Sequence, residues 1–501
     1  MTVQKAPEFG KLRSFFWPIY TAELKKVLPM FLMFFFISLV YTILRNSKDA
    51  LLVTAPGSGA EAIPFLKVGG VMPAAIIAMI FYAKLSNVLT KEKLFYVTIL
   101  PFVAFFILFA LFLYPNKDTL HLSTMADTLQ TSLPLGLHGF VATLRNWTYS
   151  LFYIMAELWG SMVLSLLFWG FANDITRVAE AKRFYALFSL GANLGLMVGG
   201  PLLVMIVKKN NSISIDGTDP FQNVINYIVA IVAFSGVMIM LLYYWINKNV
   251  LTDPLYYDGA GAKAPQKNKP KMSLGESFGF LARSKYILCI AVLVLAYNVS
   301  INLIEVTWKS QVKLQYPLQH DYLQFMGTYS TYLSITTILM LLFVSGNVMR
   351  RFGWGVAALI TPVVLLISGT GFFSFVIFKE QFAPLLLTYG TTPVAIAVLF
   401  GTIQNIISKA AKYSLFDPTK EMAYIPLDAE SKVKGKAAID VVGARLGKAG
   451  GAGVQLFLIS TFGSIAAVTP HIGVILFVII AAWIWSVNSL NKEFKKNQVS
   501  I

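Results

Sequence analysis

The sequence predicts an all-α polytopic membrane protein whose twelve transmembrane helices form two six-helix halves. Its 501 residues are 56% hydrophobic and only 13% charged, which is too apolar for a soluble domain. Apolar runs of roughly 20 residues recur along the chain, and this is the length of a helix that crosses a bilayer. A glycine-rich segment at 191–200 also recurs 252 residues later, at 443–452. This repeat indicates that the second half of the chain duplicates the first.

Twelve apolar runs are long enough to be membrane spans. In the first half they lie at 27–44, 63–83, 94–114, 147–169, 184–207 and 224–246. In the second half they lie at 286–306, 325–348, 354–378, 383–408, 438–462 and 468–488, the tenth and eleventh being weakened by Pro393, Asp440 and glycines. We therefore predict an N-terminal half at 27–246 and a C-terminal half at 286–488.

The segment between the halves, 247–285, is rich in Lys, Gly and Pro and has no apolar period, so it is predicted to be a solvated linker. An even number of spans puts both termini on one side of the membrane. Of the 41 Lys and Arg residues, 29 lie in the two terminal tails (1–26 and 489–501), in this linker and in the loops on the same side. The positive-inside rule makes that side cytoplasmic.

The net charge of +17 is therefore mainly a consequence of topology, and we expect no nucleic-acid partner. A general attraction to anionic membrane lipid is expected. The N-terminus lacks the pattern of a cleaved signal peptide, which favours a bacterial inner membrane as the location.

The two glycine-rich copies differ in charge. The second carries Arg445 and Lys448 where the first carries Asn193 and Leu196. Two similar halves that run in the same direction are typical of transporters whose substrate lies between repeats.

Other ionisable residues also lie inside spans, where each costs several kcal/mol unless it faces a wet cavity or a partner. Lys48 follows the first span and Glu157 lies in the fourth. The seventh span carries a helical stripe of Asn298, Asn302, Glu305 and Lys309. Together with Asp440, Arg445 and Lys448 in the eleventh span, these groups predict a cavity with excess positive charge. Its natural occupant is a small polyanion.

Structural alternatives stay open for each of these residues. Lys48 and Lys309 lie near span ends, where a lysine side chain can extend to the interface. Glu157, Glu305 and Lys448 could form buried structural ion pairs, and Asp440 with Arg445 a structural network.

Enzyme signatures are weak in this chain. The segment 443–449 has one residue too few between its glycines for a phosphate-binding loop, and it lacks the final Ser or Thr. The four histidines, at 121, 138, 320 and 471, show no metal-ligand spacing. We therefore expect neither an enzyme nor a cofactor or metal site.

Two loops resemble the cytoplasmic loops of the major facilitator superfamily. Lys84–Lys93, between the second and third spans, is similar to a degenerate form of that loop, and its second-half counterpart is Ser345–Gly353. A major-facilitator-like fold is the expectation.

Longer blocks along the chain resemble the nucleotide transporters of plastids and obligate intracellular bacteria, whose founding activity is ATP/ADP exchange. The blocks are Leu44–Asp49, Gly59–Lys67, Glu157–Gly160, Ile304–Lys309, Lys420–Leu427 and Lys434–Asp440. The resemblance implies that ATP and ADP are the substrates and that transport needs Lys48, Glu157, Glu305 and Lys448. Some members take up nucleotides with protons, so proton-coupled uptake, with Glu157 or Glu305 as relay, is the alternative.

We expect the two halves to rock around a site between the first, fourth, seventh and eleventh spans. Lys48 and Lys448 are predicted to bind phosphates, assisted by Asn302 and Arg445, while Glu157 and Glu305 set the charge balance. Ile63 and Lys67 are candidates for the nucleotide cavity, with packing as the alternative for Ile63. We expect the protein to be a monomer.

Overall fold

The computed structural model describes residues 19–210, 219–254, 256, 284–427, 435–436, 439 and 447–499. Most of the predicted N-terminal tail and of the central linker lies outside these residues. The described part is built from long helices, and we label α1 to α12 those that coincide with predicted spans.

In the first half these helices are α1 Leu24–Val53, α2 Ala62–Val88, α3 Lys91–Leu113, α4 Trp147–Ile175, α5 Val178–Lys209 and α6 Pro220–Asn249. Local sequence fixes several of their starts. Thr90 accepts a hydrogen bond from the backbone N–H of Lys93, and Asp219 accepts one from Phe221. Both are N-caps, which satisfy backbone donors that the first helical turn leaves unpaired.

In the second half they are α7 Lys285–Gln315, α8 Gln319–Leu339, α9 Gly346–Ile377, α10 Pro393–Ala423, α11 Gly447–Phe462 and α12 Ile465–Val499. A π-helical segment, Met340–Ser345, joins α8 to α9 without a break. The turn comes at Gly353, whose φ of 76° and ψ of 179° interrupt the helix. Glycine suits this position because a side chain disfavours positive φ.

Ten helical stretches of the described residues are long and apolar enough to cross a membrane, one of them being the continuous Gln319–Ile377. In addition, α11 contains a shorter apolar helix, Ala449–Phe462. The all-helical polytopic class is confirmed, and the count of twelve spans stays a prediction.

The predicted bounds of the tenth span, 383–408, are wrong at both ends. A separate helix, Lys379–Thr388, occupies its beginning, and α10 starts only at Pro393. Proline lacks an N–H and is favoured in the first turn of a helix, so Pro393 begins the helix instead of weakening it. At the other end, α10 continues to Ala423, well into the segment predicted to be a cytoplasmic loop.

The two halves meet along α5 and α8 and again on the side opposite the termini. On that side, Lys313 Nζ donates to the carbonyl of Ser58, which joins the halves. A Cβ atom on Gly136, in the segment between α3 and α4, would lie 2.4 Å from the carbonyl oxygen of Ser460 in α11. Glycine is therefore required for this close approach. The halves are closed against each other here, and the charged residues lie between them.

Candidate functional site

The polar stripe predicted on the seventh span is present in the structure. Asn298, Asn302, Glu305 and Lys309 all lie within α7, one uninterrupted helix of 31 residues. Asn302 and Lys309 are buried, with 8% and 2% of their surface exposed. Since a lone polar group in an apolar interior is costly, the stripe must face partners. Those partners come from both halves.

Lys48 lies in the last third of α1, where the helix continues beyond the apolar run as the sequence predicts. Its Nζ is 3.0 Å from both Glu157 Oε1 and Asp49 Oδ1, and it lies 3.7 Å from the centre of the Tyr153 ring. The Lys48 side chain is only 4% exposed. It is therefore held inside the protein and does not extend to the membrane interface.

Lys309 is likewise internal. Its Nζ lies 2.7 Å from Asp49 Oδ2 and 3.1 Å from Glu305 Oε1. Asp49 belongs to α1 and Lys309 to α7, so this pair links the two halves. With side chains 1% and 3% exposed, it is shielded from solvent. The interfacial alternative for Lys309 is wrong, because the helix places it beside two carboxylates.

Glu305 contacts three cations from three helices. Besides Lys309, its Oε1 lies 3.3 Å from Arg45 Nη2 on α1 and 3.4 Å from Lys409 Nζ on α10. Lys409 also donates to the hydroxyl of Tyr329, at 3.1 Å. The sequence did not predict Lys409 as a site residue, because the apolar run appeared to end at 408.

Lys67 connects α2 to the stripe. Its Nζ donates to Asn302 Oδ1 at 2.9 Å, again across the two halves. Lys67 also begins a π-helical segment, Lys67–Val71, a distortion that often marks functional sites. Ile63, one turn earlier, is fully buried in the hydrophobic core, which agrees with the packing alternative for that residue.

Helix α11 lies directly against the stripe. A Cβ on Gly447 would be 2.7 Å from that of Asn298, and one on Gly451 would be 2.9 Å from that of Asn302. Gln455 Nε2 completes the contact by donating to the carbonyl of Asn302, at 3.2 Å. The glycines therefore allow the two backbones to approach.

Lys448 is the second residue of α11, but its side chain lies outside what the structure describes. Arg445 and Asp440 lie outside the described residues altogether. The position of α11 beside Asn298 and Asn302 brings the backbone of Lys448 next to the site.

The described cluster is cationic. Five cations and three carboxylates are connected by ion pairs or by a hydrogen bond to the stripe. The cations are Arg45, Lys48, Lys67, Lys309 and Lys409, and the carboxylates are Asp49, Glu157 and Glu305. Arg45 and Glu157 are partly exposed, at 28% and 34%, so solvent reaches the cluster. Among the described residues, no group of three or more His, Cys, Asp or Glu is arranged for a metal ion.

Excess buried positive charge requires an anionic partner, because charge removed from water is costly without one. Lysine and arginine side chains form strong charge-assisted hydrogen bonds with phosphate and carboxylate oxygens. The site therefore suits a small molecule with several negative charges.

Comparison with solved structures identifies the architecture. The chain matches a bacterial homologue of the iron transporter ferroportin with a TM-score of 0.56 and 13% identity, over 93% of this chain and 99% of that one. At this identity the likeness concerns the fold alone, which is major-facilitator-like.

Sequence relatives are much closer. The chain is 57% identical to ADP,ATP carrier protein 1 of Chlamydia pneumoniae, over 99% of this chain and 96% of the relative. It is 50% identical to ADP,ATP carrier protein 1, chloroplastic, of Arabidopsis thaliana, over 95% of this chain and 75% of the relative. Residues 2–494 match the family model described as TLC ATP/ADP transporter. This chain therefore belongs to the TLC ATP/ADP transporter family, a family of carriers and not of enzymes.

Proposed function

We propose that this protein exchanges ATP for ADP across a membrane and binds the nucleotide phosphates in the cationic cluster between its halves. The observation that carries the proposal is the excess of five cations over three carboxylates in a largely buried, inter-half position. Its relatives in bacteria and plastids are named ADP,ATP carriers. ATP and ADP are polyanions that match this charge.

Lys48 and Lys67 are the first-half cations that bind phosphate oxygens in this proposal. Lys48 has carboxylate partners, whereas Lys67 donates a hydrogen bond to the neutral Asn302. Lys448 and Arg445 add positive charge from the eleventh span. Glu157 and Glu305 neutralise the cations while the substrate is absent, and Asn302 holds Lys67 toward the cavity.

Transport follows from alternating access. The halves are closed on the side opposite the termini, while Arg45 and Glu157 are partly exposed. To open the closed side, the halves must separate where Asp49 meets Lys309 and where Lys67 meets Asn302. A cationic site without its anion is costly to enclose. The empty carrier therefore returns slowly, and exchange is obligatory.

Direction is set by the gradients of the two nucleotides and by the membrane potential. Exchange of ATP for ADP moves about one net charge, which is worth roughly 2.3 kcal/mol per 100 mV. We propose that ATP enters and ADP leaves the cell, through a bacterial inner membrane. One chain supplies the N-terminal half (27–246), the C-terminal half (286–488) and the linker between them, so a monomer is sufficient. Both termini are cytoplasmic.

The test is efflux of labelled ADP from proteoliposomes that contain the purified protein, without a pH gradient. Efflux that requires external ATP supports obligatory exchange. Efflux without external nucleotide would overturn it. Accumulation of external nucleotide driven by a pH gradient into empty vesicles would support proton-coupled uptake instead.

A further inference from the structure

Lys409 is a buried cation that contacts Glu305 in the cluster between the two halves. It lies on α10, its side chain is 8% exposed, and its Nζ is 3.4 Å from Glu305 Oε1. Among the described residues, its other polar partner is the hydroxyl of Tyr329. A lysine that is buried beside only one carboxylate depends on that carboxylate for its charge balance.

The internal repeat relates Lys409 to Glu157. The two residues are 252 positions apart (157 to 409), which is also the offset between the glycine-rich segments at 191 and 443. Each lies shortly before a π-helical segment, Trp159–Phe168 in α4 and Lys412–Phe416 in α10. The two side chains therefore occupy equivalent positions in the two halves, with opposite charge.

Their ion pairs join corresponding helices, although Lys48 and Glu305 are 257 positions apart and do not occupy matching positions. Glu157 pairs with Lys48 on the first helix of its half, and Lys409 pairs with Glu305 on the first helix of the other half. In one half the cation lies on the first helix and the acid on the fourth; in the other half the two are exchanged. Each half thus holds one cation against one acid at the edge of the central cluster.

We infer that Lys409 is a further phosphate-binding cation of the C-terminal half and that Glu305 holds it until a substrate phosphate takes the place of the carboxylate. This inference rests on the proposed function and extends it by naming the residue and its exchange partner.

Lys409 is better suited to this exchange than Lys309. If Glu305 is displaced, Lys309 keeps Asp49 at 2.7 Å and stays neutralised. Of its partners in the described part of the chain, Lys409 keeps the neutral hydroxyl of Tyr329, so it gains most from a new anion. Arg45, the third partner of Glu305, is 28% exposed, so solvent can stabilise its charge.

Equilibrium binding of AMP, ADP and ATP to the purified full-length protein in nanodiscs tests the inference. Lys409→Gln should weaken ATP binding by about tenfold or more, the effect of one charge-assisted hydrogen bond, and AMP binding least. Glu305→Gln should tighten ATP binding, because it removes the competing carboxylate. Lys379→Gln, an exposed lysine of the short helix before α10, is the control with the same charge change and should bind as wild type.

The double variant Glu305→Gln/Lys409→Gln shows whether Lys409 binds the nucleotide or is only a structural partner of Glu305. It removes both charges of the pair, so neither is left unbalanced. If Lys409 binds phosphate, the double variant binds ATP at least about tenfold more weakly than Glu305→Gln alone. If Lys409 only neutralises Glu305, the double variant binds as tightly as Glu305→Gln, and the inference is wrong. Should the wild-type protein bind no nucleotide, the proposed function itself fails, which is a different outcome.

Discussion

Removal of Asp49 should destabilise the protein more than removal of any surface carboxylate. Its Oδ1 accepts a hydrogen bond from Lys48 at 3.0 Å, its Oδ2 forms an ion pair with Lys309 at 2.7 Å, and its side chain is 1% exposed. A hydrogen bond to a charged group contributes about 1.5–3 kcal/mol, and loss of one member of a buried pair costs about 3–5 kcal/mol. Both lysines keep a second carboxylate, Glu157 or Glu305, so the lower end applies. We expect Asp49→Asn to lower the free energy of unfolding by about 3 kcal/mol.

Chemical unfolding in mixed detergent micelles measures this change, and a double-mutant cycle identifies its cause. Lys309→Met removes the same pair from the other side, so Asp49→Asn/Lys309→Met should cost about 2 kcal/mol less than the sum of the single variants. Asp174→Asn is the control, since Asp174 pairs with Lys91 on the surface, where a salt bridge contributes less than about 1 kcal/mol. Fully additive single effects, or an effect of Asp49→Asn no larger than that of the control, would refute a buried link between the halves.

Three further predictions concern residues around the same site. Lys67→Gln should weaken ATP binding by about tenfold. Lys67→Arg should weaken it less, because arginine keeps the charge. Equal binding by both variants and the wild type would exclude phosphate contact by this lysine. Lys448→Ala should weaken nucleotide binding and exchange together in the assays above, and normal binding with lost exchange would contradict a phosphate-binding role. Gly451→Ala should lower the free energy of unfolding by about 1–3 kcal/mol, because its Cβ would lie 2.9 Å from that of Asn302. The measurement is the chemical unfolding used for Asp49→Asn. Unchanged stability would mean that α11 shifts freely.

The membrane helices were predictable because apolar length is a local property of the sequence. The predicted starts and ends differ from the observed ones where helices extend beyond the apolar run. The fourth span was predicted at 147–169, whereas α4 continues to Ile175 through Asn173 and Asp174. Polar residues at such a helix end lie outside the hydrocarbon region. Hydropathy therefore does not show that they belong to the helix.

The stripe on α7 was predictable for a similar reason, since helical periodicity alone aligns its members. The partners of the stripe were harder to predict. Asp49 is adjacent to Lys48 in sequence, but its contact with Lys309 depends on how α1 and α7 cross. Lys409 was assigned to a loop because hydropathy falls at 408 while the helix continues. Only the repeat offset from Glu157 marks it as a site residue in the sequence.

Duplication produces two similar halves, whereas a nucleotide has a charged end and an aromatic end. In the fourth and fifth spans, three positions differ in charge from the positions 252 residues later, and in each pair the second half supplies the cation: Glu157 and Lys409, Asn193 and Arg445, Leu196 and Lys448. Identical halves would present the same charge on both sides of the cavity. Divergence at these positions instead makes the positive charge uneven, and an uneven charge distribution orients a polyanion. We therefore expect the phosphate chain to lie nearer to α10 and α11 than to α4, with the base toward the less cationic side.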